Sequence, residues 1–399
     1  MEFYAINLYF YASLLLPLHK ETTAARLCLP GALHIMTDRF HRIFSFLLVA
    51  LTTATLVSCS DDDKTPNRVQ KIARLDRVTY AYPKMDAARR SDLRDSLAPE
   101  LSALVKVMEL GQTAGDEAIL AWSDTQPVKI FSPLVDKAFP SLDSLEHTLG
   151  GIVGNAGDNG LKIPRYRFAT VVWGKSKSIV FADSVALIAL NHYLGSDSPA
   201  YANWPLYIRQ QKRPELLPYD IAEAIVATAY PYKPSDAHKA KPRQEVETDP
   251  YDESTADDIP DMVIEPDGTL LNRMLYEGAL VYAKTRLVPD ADVTLALGFT
   301  PEQMRDVVAN EEFAWNKIVS GKMLYSTDPE LHDRLFNLLP NSAPISPQAP
   351  GRALRYIALQ IVRAYVDGHK DVTLDFLLSP AFYNAPNTLR EAGYTPAKK

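Results

Sequence analysis

Cysteine is nearly absent. The 399 residues carry two, Cys28 and Cys59, too few for a disulfide framework or a cysteine-built zinc site. There is no basic excess either: 42 Lys and Arg stand against 49 Asp and Glu, a formal charge of −7, which leaves nothing to neutralise a phosphate backbone and excludes nucleic acid as a partner. Several catalytic signatures are missing. No His-Glu-x-x-His helix, no Gly-x-Ser-x-Gly elbow, no Gly-Lys-Ser/Thr phosphate loop and no Asp-x-Asp-x-Asp-Gly calcium loop occurs. The histidines at 147, 192, 238, 332 and 369 are scattered. What is present is a chain able to fold, 47% apolar with 10% aromatic residues.

From Met36 the chain reads as a secretory signal. Thr37-Asp38-Arg39-Phe40-His41-Arg42 is a basic n-region, and the apolar run Ile43 to Val57 falls short of the about 20 residues a membrane-crossing helix needs. Leu56-Val57-Ser58-Cys59 resembles the lipobox of bacterial lipoproteins, in which the cysteine becomes the acylated first residue. More than one acyl chain, at roughly 0.8 kcal/mol per buried CH₂, makes a stable anchor in a lipid bilayer. Residues 1–35 then read as an extension upstream of the true start, 36–58 as the signal and 59–68 as a tether. Its acidic stretch, Ser60-Asp61-Asp62-Asp63-Lys64, looks like the signal that sends lipoproteins of the Bacteroidota to the outer face of the outer membrane, or is a plain solvated spacer. With the signal removed, no free thiol remains to act as a nucleophile.

The body, residues 69–399, reads as one α+β domain, mostly helical, with a hairpin-bearing first half and a helical second half. Ile72 to Tyr80 alternates as a strand, and Met85 to Glu109 has the leucine spacing of one amphipathic helix. A further helix runs from Leu142 to Gly150, after which glycines 150, 151, 154, 157 and 160 read as a flexible link. Arg165 to Trp173 and Ser178 to Leu190 are β-rich runs joined by Gly174-Lys175-Ser176-Lys177, a hairpin signal whose lysines are a solvated turn. Pro218 opens a helix carrying Asp220 and Glu223. Residues 233–261 are acidic, polar and almost free of apolar side chains, a mobile insertion. Leu270 to Leu287 is a nearly all-apolar central helix. Thr300-Pro301-Glu302-Gln303 is a capping box opening a helix to Gly321, and Arg352 to Val366 and Leu374 to Leu378 supply two more.

Glu277 is the carboxylate of most interest, because it lies on an apolar helix beside Leu270, Met274 and Val281 while Arg273 and Lys284 share its stripe. It reads either as an Arg-Glu pair contributing a few tenths of a kcal/mol, or as a buried carboxylate tuned by burial and a neighbouring cation. Asp220 and Glu223 either complement their helix dipole or join that chemistry. The candidate catalytic pair is therefore Glu277 and Glu223, and the candidate binding residues are Tyr193, Tyr201, Arg273 and Tyr276. Trp204 and Tyr207 are aromatic neighbours able to line a pocket, and His192 reads as a satisfied strand-end residue. No cofactor or metal follows from these residues.

A series of short motifs occurs in a specific order over residues 69–396: Leu190-Asn191-His192-Tyr193-Leu194-Gly195, Pro205-Leu206-Tyr207-Ile208, Met274-Leu275-Tyr276-Glu277-Gly278, Gly298-Phe299-Thr300-Pro301-Glu302-Gln303, Asn310-Glu311 with Trp315, Leu324-Tyr325-Ser326-Thr327-Asp328, and Pro350-Gly351-Arg352 with Gln360 to Tyr365. Together they resemble the gliding-motility-associated lipoproteins of the GldB family of the Bacteroidota. That resemblance implies a cell-envelope lipoprotein with an unidentified envelope protein or ligand as partner, on a scaffold similar to zincin-like, zinc-dependent proteases. In such proteases a His-Glu-x-x-His helix and a Glu-Gly helix supply the ligands. Glu277-Gly278 matches the second element. Around Glu223, however, Ala222 and Val226 stand where histidines belong, and Asn191 replaces the usual acid. The expectation is a non-catalytic binding or assembly protein with a degenerate metal motif, the alternative being a hydrolase working through Glu277 and Glu223 with an atypical metal or none.

Overall fold

Val185–Ala189 is buried at every position, and this short strand organises the sheet. A strand hidden on both faces reads as a continuous apolar run because helices cover each side. The computed structural model describes residues 68–235 and 268–397. The expected extension over 1–35, the signal over 36–58, Cys59, nearly all of the tether and the insertion beyond residue 235 lie outside the described residues.

The sheet contains β1 (Ile72–Ala73), β2 (Arg167–Val171), β3 (Ile179–Ala182) and β4 (Val185–Ala189), in the order β1-β2-β4-β3. β1 runs parallel to β2 and β2 parallel to β4, with Phe168 opposite Ala186 and Thr170 opposite Ile188. Only β3 is antiparallel to β4. The expected hairpin through Gly174-Lys175-Ser176-Lys177 is therefore corrected. The tight turn is Asp183-Ser184, inside the run taken as one strand, with Asp183 in the left-handed region at φ 53 that Asp tolerates in hairpins. The glycine-lysine segment instead leads from β2 past β4 to the sheet edge, pinned by the Trp173 indole N–H donating to the Lys177 carbonyl at 2.9 Å.

Alternate side chains enter two apolar clusters. Ile72, Phe168, Ala186 and Ile188 face the larger, which the C-terminal helices complete. Ala169, Val171, Val185, Leu187 and Ala189 face the smaller, built with Leu75, Tyr82, Leu101, Leu104, Ile119, Trp122 and Val128.

The helices that supply that second cluster differ from the expected ones. Residues 72–80 are not a strand throughout: α1 (Leu75–Ala81) begins after two strand residues. Ile72, Leu75, Asp76, Thr79 and Tyr82 are the buried positions, a helical spacing that the β-branched alternation conceals. The single helix over 85–109 is two, α2 (Ala87–Ser96) and α3 (Ala98–Val107), because Pro99 in the first turn of α3 cannot continue a helix through Leu97. Next come α4 (Asp116–Ser123), α5 (Gln126–Ala138) and α6 (Asp143–Asp158). Four of the glycines read as a link lie inside α6. A Cβ at Gly150 would sit 2.1 Å from the Arg68 carbonyl oxygen and one at Gly151 2.5 Å from the Pro289 ring, so these glycines serve close packing.

The second half is helical, as expected. α7 is Leu217–Ala229 and α8 is Leu270–Leu287, with the predicted bounds and a Thr269–Asn272 capping box. The capping box at Thr300 is present, but its helix α9 (Pro301–Ala309) stops at Asn310 and α10 (Glu311–Ser320) follows. α11 (Pro329–Phe336) and α12 (Leu354–Gly368) precede three short helical turns, Leu374–Leu377, Pro380–Tyr383 and Thr388–Ala392.

Candidate functional site

α8 and α12 pack more extensively than any other pair of helices, and Gly278 is why they approach so closely: a Cβ there would lie 2.3 Å from the Ala358 carbonyl oxygen. The residue before that glycine, Glu277, and the residue one turn before Ala358, Arg355, therefore face one another. Arg355 Nε donates to Glu277 Oε2 at 2.9 Å, while its Nη2 donates to Glu223 Oε1 on α7. Arg273 Nε donates to the other oxygen of Glu277 at 2.9 Å, and Lys284 Nζ to the other oxygen of Glu223. A chain of five alternating charges thus joins three helices, Arg273–Glu277–Arg355–Glu223–Lys284. Glu277, Lys284 and Arg355 are 5%, 2% and 4% exposed.

The Glu223 side chain keeps 27% of its surface accessible. Burial alone would raise its carboxyl, but the charges of Arg355 and then Lys284, with their hydrogen bonds, outweigh this and hold it far below the usual carboxylate range. Asp220 is displaced the other way, raised by burial with Lys284 opposing, and accepts a hydrogen bond from the Tyr193 hydroxyl at 2.9 Å. Burial lowers the Lys284 ammonium against the attraction of Glu223. It also lowers the Lys212 ammonium to about 8 despite Asp220. His192 is held neutral by burial, with Nδ1 2.9 Å from Ser178 Oγ.

The structure thus brings Glu277, Glu223 and Arg273 together and leaves the other candidates at its margin. Tyr276 is buried, its hydroxyl donating to the Tyr230 carbonyl, and stands beside Arg273, whose guanidinium also lies 5.2 Å from the Tyr232 ring centroid. Tyr193 donates to Asp220, which stands outside that chain of ion pairs. Tyr201 is a strut: its hydroxyl donates to the Asn191 carbonyl and accepts from the Leu194 N–H, and its ring stacks on Trp204. Cys59 lies outside the described residues.

Sequence reasoning missed Arg355, the residue that couples both carboxylates. Its signal was legible, since a lone arginine among Leu354, Tyr356, Ile357, Ala358 and Leu359 on a buried helix must find acidic partners. Lys284 was assigned to the stripe of Glu277, but its ammonium goes to Glu223 on α7 instead.

The donor set does not suit a divalent cation. Ala222 and Val226, flanking Glu223 on α7, are fully buried and apolar, and the carboxylates carry guanidinium and ammonium partners where a metal would stand. Among the described residues no three His, Cys, Asp or Glu side chains converge on one point. Chemically, the arrangement holds charge and rigidity in place, and offers no proton donor or acceptor poised near neutrality at Glu223.

Residues 59–240 and 248–396 match the family described as gliding motility protein GldB. Neither the curated proteins nor the solved structures contain a significant match.

Proposed function

We propose a non-catalytic binding or assembly role for this chain, which belongs to the gliding-motility GldB family and acts at the cell envelope. The lipobox-like Cys59 supports an acyl anchor in the bilayer, and among the described residues no helix is long and apolar enough to cross a membrane. The observation that carries the reading is the saturation of Glu223 and Glu277. All four of their oxygens accept from Arg273, Lys284 or Arg355, so both carboxylates are committed to cations where a general base or a zinc ligand would need them elsewhere.

The test is incubation of the purified full chain with a peptide library, alongside elemental analysis. The expected outcome is no cleavage and zinc far below one equivalent. Stoichiometric zinc that disappears in Glu277→Gln, or peptide cleavage lost in Glu223→Gln, would overturn the reading in favour of a hydrolase.

A further inference from the structure

Beside the five-charge chain stands a cation with no ion-pair partner among the described residues. Arg352 makes no side-chain hydrogen bond or ion pair with the described residues, and its Nε is buried without a partner. It lies within electrostatic reach of Arg355, Glu223, Asp220 and Glu277. Each glutamate oxygen already accepts from another cation, and none of them accepts from Arg352. With Arg273 set aside, Lys212, Lys284, Arg352 and Arg355 stand among the described residues against Asp220, Glu223 and Glu277, one negative charge fewer.

The backbone holds this guanidinium deliberately. Arg352 adopts φ 63, and among the described residues it is the one left-handed non-glycine that is not exposed. Its loop is tightly held. The buried Ser342 hydroxyl donates to the Pro350 carbonyl at 2.8 Å and accepts from the Ala353 N–H at 3.1 Å, and a Cβ at Gly351 would meet the Leu339 carbonyl oxygen at 1.9 Å. Arg352 lines a recess shared with Tyr207, Gln211, Gly298 and Gln303. Gln211 and Gln303 are fixed there, Gln211 Nε2 donating to the Gly298 carbonyl and Gln303 Oε1 accepting from the Thr300 N–H. Three of the ordered motifs, Pro205 to Ile208, Gly298 to Gln303 and Pro350 to Arg352, thus contribute residues to one place that the charge network leaves unexplained.

We propose that this recess binds an oxyanion, the carboxylate or phosphate end of a ligand, on the Arg352 guanidinium. A planar fork of donors with no acceptor of its own matches such a group, and an anion supplies the missing negative charge. The proposal deepens the binding role above and rests on it, since a site built for an anion is the converse of one built for a metal cation.

The experiment is thermal unfolding of the full chain at constant ionic strength, with sodium chloride replaced stepwise by sodium phosphate or by sodium acetate. At ten times the dissociation constant, the midpoint should rise by roughly 2–4 °C with at least one of them. Arg352→Gly, which suits a left-handed backbone and so should fold, should lose the rise, and Arg352→Lys, which keeps the charge without the fork, should need several-fold more anion. A response to phosphate alone or to acetate alone identifies the ligand chemistry. No rise with either anion, or a rise that survives in Arg352→Gly, overturns the proposal. Peptide cleavage on the same samples reports separately on the functional reading, so either can fail without the other.

Discussion

A guanidinium that is 4% exposed must direct its donors to oxygens, and Arg355 directs them to Glu277 and Glu223 at once. Breaking one link strands a buried cation, and that loss exceeds what the intact pair contributes. Glu223→Gln should therefore destabilise the protein by about 2–3 kcal/mol in chemical denaturation, toward the low side for buried pairs because part of the side chain meets solvent. The pH dependence follows from the same group. The folded-state pKa of Glu223 is depressed, so its contribution is present above the unfolded value near 4.3 and is lost as pH falls below it. The acid limb of the stability profile below about pH 4.3 should flatten in the Gln variant; an unchanged limb would mean that the ion pairs do not form. Lys212 acts in the opposite range. With its ammonium lowered to about 8 in the folded protein and near 10.4 when unfolded, the unfolded chain binds more protons between these values, so stability should rise from pH 8 toward pH 9.5. Lys212→Met should remove that rise in denaturant midpoint. Of these contacts only Arg273–Glu277 was legible beforehand, being four residues apart on one helix. Glu223 and Arg355 are separated by 132 positions, and no local pattern records such a pairing.

Helices of this protein are placed by their glycines as much as by their apolar stripes. Gly278→Ala drives a methyl group to 2.3 Å from the Ala358 carbonyl oxygen, so α8 and α12 must separate, and a loss of about 3 kcal/mol is expected. Gly157→Ala is the control, because a Cβ there meets nothing within 4 Å and the helix gains about 0.5 kcal/mol in propensity. Comparing the two urea midpoints checks the argument; a tolerated Gly278→Ala would show that the close approach is not required. The periodic signal was strongest where one face is wide and the cap is explicit, as in α8 and at Thr300. It misled where a β-branched alternation overlay a helical one, at residues 72–80, and where glycines needed for packing looked like a linker, in α6.

The whole chain combines a sheet set between two apolar clusters, a charge network among three C-terminal helices and an N-terminal segment with the marks of an acylation site. If Cys59 carries the anchor, Cys59→Ala should move the protein from the membrane pellet to the soluble fraction after high-salt washing, a shift read by fractionation and blotting; a variant that stays in the pellet argues for another attachment. The family, the fold class and the missing histidines around Glu223 were all present in the linear order of residues, because composition, ordered motifs and helical period are local properties of the chain. The parallel pairing of β2 with β4, the closure of both glutamates by Arg355 and the isolation of Arg352 depended on tertiary packing. They arise from contacts between segments far apart in the chain, whose burial makes charge pairing compulsory and whose register no local spacing encodes.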